Sequence, residues 1–331
     1  MLLVDALYIN NSGGKVLLEY LIRELKKRQI NCFFLLDHRL ETDLMDKGDK
    51  FLYLKATLFN RYNFYVQNKT SFSKVFCFGN LGPPIQLNIE TITYVHQKLF
   101  LSKLPETKNL KHALKTILFK YFLKRTDLVL VQSNLMEKDL NKFINKSNLP
   151  FKTQVVPFYD SLIGEECKKA PFFYLYVSTG FDYKNHMRLL DGFSAFYKRH
   201  NKGELHLTVS KDFSEVNNYI NKLVKKGYPI VNHGFINKEK LKPLYAKASF
   251  IVYPSLVESL GLGLVEGIDN NCKIIAANLN YVFEVCDPSI TFNPFNSSSI
   301  EKAFIRSLDI NLKDSRKLMF NEINNLLEIL N

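Results

Sequence analysis

Two glutamates flank a pair of glycines in the stretch of the sequence that most suggests chemistry. Glu258 and Glu266 stand eight residues apart in PSLVESLGLGLVEGI, with Gly261 and Gly263 between them. Glycines allow a sharp turn and let a ligand approach the backbone N–H groups at a helix start, which favour anions. Two carboxylates beside such a site suit a ligand that carries both hydroxyls and a phosphate. The alternative interpretation is an ordinary helix cap followed by a solvated glutamate.

The surrounding sequence alternates between apolar strand-like runs and helical periodicity. The glutamates follow an apolar run at Phe250–Tyr253, and the same alternation extends through both halves of the chain. This pattern predicts α/β architecture with parallel sheets. A segment of mixed charge and prolines at 157–171 indicates a linker, so we predict two doubly wound domains facing a central cleft. The predicted divisions are 1–165, 166–311 and a C-terminal helix at 312–331 that packs on or crosses between the domains.

Composition places the protein among folded, non-fibrous chains. Of 331 residues, 46% are hydrophobic and 23% charged, which excludes a disordered tail, a collagen-like repeat and a coiled-coil rod. The five cysteines are widely spread without a C-x-x-C pair, so reduced thiols are favoured over a disulfide or zinc framework. We see no apolar run long enough to cross a membrane and no signal peptide at the start, and expect a cytoplasmic protein.

The positive charge is concentrated in one segment. Lys and Arg total 45 against 32 for Asp and Glu, a net charge of +13. Between Lys98 and Arg125 there are eight basic residues and a single acid, Glu106. Apolar residues recur there at helical spacing, namely Leu110, Leu114, Ile117, Leu118, Tyr121 and Phe122. The pattern predicts a basic amphipathic helix, which either lies on anionic lipid or packs on the core as an ordinary surface helix. A nucleic-acid partner is disfavoured because no recognition motif accompanies the charge.

The segment from His233 to Ile268 resembles the donor-binding signature of glycosyltransferase family 4, the retaining enzymes of GT-B fold. The matching positions are Gly234, Leu241, Tyr245, Ala248, Pro254, Ser255, Glu258, Gly261 and Glu266. Upstream, Lys184-Asn185 in LYVSTGFDYKNHMRLLDGF resembles the family's Lys-Asn or Lys-Gly pair. Downstream, IIAANLNYVFEV resembles the next family segment, although Phe283 stands where proline is usual.

The resemblance implies a role for each matching residue. Glu266 would bind the ribose hydroxyls of a nucleotide sugar, and Glu258 would hold the transferred sugar together with the backbone of Gly261 and Leu262. Lys184 would neutralise the diphosphate leaving group. The other implied donor-binding positions are Thr179, Gly234, Phe235 and Ser259.

One position departs from the family pattern. Thr179 stands where many members have a second basic residue, and a hydroxyl supplies no charge to the diphosphate. Lys211 either compensates for the missing charge or is an ordinary surface lysine.

The N-terminal half resembles the same family more loosely. Gly13-Gly14 resembles the Gly-rich loop that meets the donor diphosphate, although such a pair also serves ordinary tight turns. GNLGPPI at 79–85 and TYVHQ at 93–97 resemble members that build bacterial surface polysaccharides. His96 falls at a strand end where the family places a histidine facing the transferred sugar. The alternative is a purely structural histidine.

The resemblance implies a retaining glycosyltransferase that transfers a sugar from a nucleotide sugar to a growing, lipid-linked polysaccharide such as O-antigen or capsule. The resemblance also implies that no cofactor or metal is required, and the sequence agrees in having no D-x-D triplet to hold a divalent cation. The basic segment 98–125 would attach the enzyme to the inner face of the cytoplasmic membrane. Two alternatives stay open: a nucleotide-sugar 2-epimerase, and a non-catalytic family member that binds sugar nucleotide or membrane.

Overall fold

A computed structural model describes residues 1–96, 110–145 and 151–331. The chain divides into two units, the first comprising Met1–Asp160 with Phe320–Asn331 and the second Ser161–Met319. Each unit contains one parallel β-sheet covered by helices. The predicted α/β class with two Rossmann-like sheets is therefore confirmed.

The first unit is built on a seven-stranded sheet. Its strands are β1 (Leu2–Ala6), β2 (Cys32–Asp37), β3 (Lys50–Leu54), β4 (Lys74–Cys77), β5 (Glu90–Val95), β6 (Leu128–Val131) and β7 (Lys152–Val155). Its helices are α1 (Ser12–Lys27), α2 (Leu58–Gln67), α3 (Leu110–Leu123), α4 (Asn134–Asn145) and α11 (Ile323–Leu330). The spatial order is β3-β2-β1-β4-β5-β6-β7, with every pair parallel.

The second unit repeats this plan with six parallel strands. They are β8 (Ala170–Tyr176), β9 (Glu204–Leu207), β10 (Ile230–Asn232), β11 (Ala248–Tyr253), β12 (Lys273–Ala277) and β14 (Ile290–Phe292). The helices are α5 (His186–His200), α6 (Ser214–Lys225), α7 (Lys238–Lys247), α8 (Leu262–Asp269), α9 (Asn280–Val285) and α10 (Ser297–Arg306). The order is β10-β9-β8-β11-β12-β14, and a short antiparallel pair joins β13 (Cys286–Asp287) to β15 (Arg316–Lys317).

In each sheet, successive strands are added first toward one edge and then toward the other, so the order changes direction between two central neighbouring strands. In the first sheet the reversal lies between β1 and β4, and in the second between β8 and β11. Ligands of doubly wound sheets bind outside the carboxyl ends of the strands at such a switch point. A binding site is therefore expected beside the residues that follow β8 and β11 in the second unit, and β1 and β4 in the first.

The boundary between the units lies five residues before the predicted one, at Asp160–Ser161 rather than after Glu165. The side chain of Asn270 explains the difference, because it bonds the linker to the second unit. Its amide nitrogen donates to the Leu162 carbonyl at 2.5 Å, and its oxygen accepts from the Gly164 N–H at 2.9 Å.

The C-terminal helix is shorter than the predicted 312–331 and spans Ile323–Leu330. The preceding residues make non-helical bonds to the second unit: β15 pairs with β13, and the N–H groups of Leu318 and Met319 both donate to the Val285 carbonyl. The helix itself packs in the first unit, where Leu326, Leu327 and Leu330 are buried.

The predicted basic segment 98–125 falls partly outside the described residues, since 97–109 are not described. Its second half forms α3, as the periodicity predicted, but only part of the predicted apolar face is buried. Phe119, Phe122 and Leu123 are buried, whereas Ile117 and Tyr121, which the sequence grouped with Phe122 on one apolar face, are exposed. Among the described residues, no helix is long and apolar enough to cross a membrane.

A buried ion pair connects three elements of the first unit. The Arg61 Nε of α2 donates to the Asp5 carboxylate of β1 at 2.7 Å, and both side chains are 1% exposed. The remaining guanidinium nitrogens donate to the carbonyls of Gly82 and Leu81 at 2.8 and 2.9 Å. Tyr65 also donates to the Asp5 carboxylate, at 2.7 Å. Burial disfavours each charge singly, so the pair is stable only because its hydrogen-bonding groups are satisfied.

Replacing Arg61 by methionine should lower the free energy of unfolding of the first unit by about 3 to 5 kcal/mol, because it leaves the Asp5 carboxylate buried without its cation. Urea denaturation followed by circular dichroism measures the loss. The double variant Asp5→Asn/Arg61→Met should recover part of it, since no charge stays buried. Lys69→Met, at an exposed position after the same helix, should change stability by no more than about 0.5 kcal/mol. A loss in Arg61→Met as small as that of Lys69→Met would contradict the assignment.

Candidate functional site

An ion pair lies at the switch point of the second sheet. Lys184 follows β8 and Glu258 follows β11, and the Lys184 Nζ donates to the Glu258 Oε1 at 2.6 Å. The two side chains are 14% and 12% exposed, so the pair is partly shielded yet open to solvent. The structure thus brings together Lys184 and Glu258, whereas His96, the third residue with an implied role in the transfer, belongs to the first unit.

The loops that carry this pair are bonded to each other through backbone groups. The Leu256 N–H donates to the Tyr183 carbonyl at 2.7 Å. Asn185 adopts a left-handed conformation (φ 62°), which asparagine tolerates better than most residues. Its amide nitrogen donates to the carbonyls of Pro254 and Pro294 at 3.1 and 2.8 Å. The asparagine of the Lys-Asn pair therefore positions the lysine loop against the glutamate loop.

Each of the two glycines between Glu258 and Glu266 is required for a different structural reason. Gly261 precedes α8 in the left-handed region (φ 72°), where a side chain would be strained. A Cβ at Gly263 would lie 3.0 Å from the Tyr253 ring, so a side chain there would press the helix away from β11. The first turn of α8 leaves backbone N–H groups without intrahelical partners, as every helix start does. Such groups can bind an anion.

The second glutamate of the motif is oriented by a tyrosine. Glu266 lies on α8, and the Tyr245 hydroxyl of α7 donates to its Oε2 at 2.6 Å. Tyr245 is fully buried; burial, and then the Glu266 charge, raise the pKa of its hydroxyl well above the ordinary value. The hydroxyl therefore stays protonated at neutral pH and donates to Glu266. The sequence identified Tyr245 as part of a motif but gave it no contact.

Three further tyrosines form the floor beneath the ion pair, and the sequence pattern indicated none of them. The Tyr176 hydroxyl donates to the Lys184 carbonyl at 3.0 Å and lies 2.8 Å from the Ser255 hydroxyl. Tyr281 donates to the Ser255 carbonyl at 2.7 Å. Burial first, and the Glu258 charge second, raise the pKa values of Tyr176, Tyr253 and Tyr281. Aromatic residues read as core in a sequence, so only their proximity to Glu258 reveals them.

His186, at the start of α5, is another residue that the sequence did not indicate. Its Nε2 lies 3.2 Å from the Ser178 hydroxyl, and its Nδ1 is buried without a partner in the described part of the chain. Burial, with a contribution from the Lys184 charge, lowers the pKa of this histidine to about 3. It is neutral at physiological pH and adds no positive charge beside Lys184.

The other positions for which the resemblance implied donor binding lie at the same edge of the second sheet. Thr179 follows β8, Gly234 and Phe235 follow β10, and Ser259 and Leu262 follow β11. Gly234 is required for its left-handed backbone (φ 67°) rather than for space, since a Cβ there would have no neighbour within 4 Å. Phe235 is 85% exposed, which leaves its ring available to a ligand. Lys211 is exposed as well, consistent with either interpretation of it.

In the first unit, His96, Gly14 and Asn80 meet at the carboxyl ends of β5, β1 and β4. A Cβ at Gly14 would lie 3.5 Å from the His96 Nε2. The Asn80 side chain accepts from the His96 backbone N–H at 2.8 Å, and its nitrogen lies 3.4 Å from the His96 Nε2. Gly13 and Gly14 belong to the first turn of α1, which begins at Ser12, and not to a loop before the helix as predicted. The first-turn N–H groups need no helical partner, so the pair keeps its free donors.

The His96 ring is enclosed and uncharged. It is 6% exposed, lies 5.1 Å from the Phe78 ring centroid, and its Nδ1 has no partner among the described residues. Burial lowers the pKa of His96 to about 4. The ring can therefore orient a hydroxyl through hydrogen bonding, whereas it carries no positive charge near pH 7.

The described residues contain no group of three or more His, Cys, Asp or Glu side chains arranged to hold a metal ion. The cysteines Cys32, Cys77, Cys167, Cys272 and Cys286 are unpaired thiols.

Two parallel sheets, each with a switch point and polar residues at its carboxyl edge, define a doubly wound α/β protein. Solved structures of this architecture identify the fold as GT-B. Sucrose-phosphate synthase from Thermosynechococcus elongatus has a TM-score of 0.74 at 14% identity, covering 93% of this chain and 89% of its own. Anabaena HepE in complex with UDP and glucose has a TM-score of 0.71 at 13% sequence identity, and the match covers 93% of this chain and 90% of HepE. The lipopolysaccharide outer core galactosyltransferase WaaB has a TM-score of 0.64 at 16% sequence identity, and the match covers 94% of this chain and 91% of WaaB.

Sequence comparison adds a family to this fold for the second unit. Residues 164–319 match the family described as "Glycosyl transferases group 1", which spans almost all of Ser161–Met319. The second unit is thus similar to group 1 glycosyl transferases, and it contains Lys184, Glu258 and Glu266. No protein of curated function matches the chain by sequence.

The neutral state of His96 should be measurable as a pH dependence of stability. The pKa of His96 is about 4 in the folded protein against about 6.5 unfolded, so only the unfolded state binds a proton between these values. Its contribution is fully present above pH 6.5 and is lost as the pH falls through 4. Each pH unit in that window should cost up to about 1.4 kcal/mol.

Denaturant titrations of wild type and His96→Gln across this range test the assignment. The variant should show the shallower dependence on pH, while the difference between the two proteins stays constant above pH 7. Parallel curves between pH 6.5 and 4 would show that the imidazole is not buried in its neutral form.

Proposed function

We propose that the protein is a retaining glycosyltransferase that transfers a sugar from a nucleotide diphosphate sugar to a lipid-linked polysaccharide acceptor. The observation that carries the proposal is the Lys184–Glu258 pair at the switch point of a unit similar to group 1 glycosyl transferases. Glu266 stands on the helix that follows. A cation, a free helix start and two carboxylates match the diphosphate and the hydroxyls of such a donor.

The donor would be bound by residues of the second unit. Tyr245 fixes one oxygen of Glu266, which would direct the carboxylate at the ribose hydroxyls. Glu258 and the backbone at Gly261 and Leu262 would hold the transferred sugar. The remaining positions would line the same edge of the sheet, namely Thr179, Gly234, Phe235 and Ser259.

Lys184 would act when the glycosidic bond to the diphosphate breaks. Without donor, its charge is balanced by Glu258. A bound diphosphate brings a stronger concentration of negative charge, and the flexible lysine would turn toward it and stabilise the charge that develops on departure. Thr179 adds no second cation, so this task would fall to Lys184 and the start of α8.

The transfer itself would proceed on one face of the sugar, with retention of configuration. The acceptor hydroxyl oxygen forms the new bond to the anomeric carbon as the bond to the diphosphate oxygen breaks, and the hydroxyl proton passes to the departing diphosphate. The neutral His96 would orient a sugar hydroxyl during this step rather than serve as a base, in keeping with its low pKa. No cofactor or metal is required in this scheme.

The acceptor assignment is supported by similarity and by charge. The names of two structural neighbours refer to UDP with glucose and to lipopolysaccharide outer core, which suggests a UDP-sugar donor and a surface-polysaccharide acceptor. The basic segment 98–125 would hold the enzyme at the inner face of the cytoplasmic membrane, where a lipid-linked acceptor is presented.

Donor binding is tested by thermal unfolding with a panel of UDP-, GDP-, ADP- and dTDP-sugars, each with and without EDTA. One nucleotide should raise the melting temperature by several degrees, and the shift should survive EDTA. Glu266→Ala should abolish the shift, because the ribose loses its acceptor. Glu239→Ala, a matched change at an exposed carboxylate on α7, should keep it. A panel without any shift, or one equally effective on Glu266→Ala, would contradict the donor site.

Glu258→Gln separates the transferase from its alternatives. It removes the charge while keeping the shape, so the nucleotide shift should persist while transfer, measured as nucleotide release with acceptor, falls by at least about a hundredfold. Free epimerised sugar released without any acceptor would instead identify an epimerase. Binding without any turnover in the wild type would identify a non-catalytic member.

A further inference from the structure

A second element of the first unit shares the surface properties of α3. Helix α2 presents Phe59, Tyr62 and Val66 outward at helical spacing, with exposed fractions of 72%, 49% and 50%. Single exposed apolar residues are common, but a stripe along one helix is not explained by packing within the unit. On α3, Ile117 and Tyr121 are exposed by 63% and 52%.

These two helices cover the same face of the first sheet. Cys77, Thr93 and Val129 are in register across β4, β5 and β6, so their side chains point to one face. Cys77 packs in the core cluster of α2 and Val129 in that of α3. The loop at Leu81–Gly82 lies between the helices, since Arg61 bonds both carbonyls and a Cβ at Gly82 would lie 2.5 Å from the Phe122 carbonyl oxygen.

The charge around the stripe has one sign. The exposed charged residues beside α2 are Lys55 and Lys69, whereas Arg61 is buried in its pair with Asp5 and Lys74 pairs with Glu90. At the end of α3, Lys120, Lys124 and Arg125 add further cations, and the sequence has no acid between Ile117 and Thr126. Apolar and aromatic side chains among cations match the headgroup region of an anionic bilayer.

We infer that the outer faces of α2 and α3 together form a membrane-docking surface, on which Phe59, Tyr62, Val66, Ile117 and Tyr121 enter the interface of an anionic lipid bilayer. Tyrosine and phenylalanine supply apolar area at headgroup depth, and the lysines add attraction to negative lipids. The attachment is reversible, because the side chains of one helical layer reach only into the interface. The inference rests on the proposed function for its purpose, since a lipid-linked acceptor requires the enzyme at the bilayer.

Vesicle flotation of the full chain tests this surface. Wild type should float with phosphatidylcholine vesicles that contain phosphatidylglycerol, and much less with phosphatidylcholine alone. The double variant Phe59→Ser/Tyr62→Ser should reduce binding to the anionic vesicles by about tenfold or more, since each side chain loses its buried apolar area. Val224→Ser/Ile310→Ser, a matched pair of exposed apolar residues in the second unit, should bind as wild type does.

Three outcomes would overturn the inference: equal flotation of the α2 variant and wild type, no preference for anionic vesicles, or a dimer by light scattering that the α2 variant converts to a monomer. The last would show that a second copy covers the face. The nucleotide-sugar shift, measured on the same variants without vesicles, reports the proposed function separately. It should be unchanged in all of them, so a wild type that shows the shift but does not float with anionic vesicles contradicts only the docking surface.

Discussion

The first unit depends on the burial of one charged pair. Arg61 bonds Asp5 of β1 and the carbonyls of Leu81 and Gly82, so a helix, a strand and a loop are joined at a single guanidinium. The same loop carries Asn80, which positions His96. Because Arg61 points inward, its helical neighbours Phe59 and Tyr62 point outward. The pair thus connects the loop at the polar edge of the sheet to the helix that carries the apolar stripe.

The second unit uses its main ion pair in the opposite way. Lys184 and Glu258 are partly open to solvent, and they are held by backbone and amide hydrogen bonds of the loops rather than by burial of the charges. A buried pair is costly to separate, whereas an accessible one can exchange partners with an incoming anion. The contrast fits a structural pair in one unit and a functional pair in the other.

Sequence patterns were most informative where local chemistry sets local structure. Alternating apolar runs predicted both parallel sheets, and the glycine at the left-handed start of α8 marked the loop that carries Glu258. Contacts between distant residues had no such signal. Arg61 looks like a surface cation, His186 and Tyr281 look like core, and the extension of 313–319 along the second unit depends on Ser315 and Val285. The exposed side of α3 was also missed, because its periodicity identifies an apolar face without saying which residues the sheet covers.

The return of the chain to the first unit has a consequence for folding during synthesis. Helix α11 packs in that unit. The N–H of Glu322, just before the helix, donates to the Pro157 carbonyl, and the Lys74 Nζ donates to the Ile329 carbonyl. Domains usually complete their cores as they leave the ribosome, N-terminal first. Here the first unit must wait for residues 320–331, which are made after the whole second unit. The part of α1 that α11 contacts therefore stays uncovered until the second unit has been synthesised.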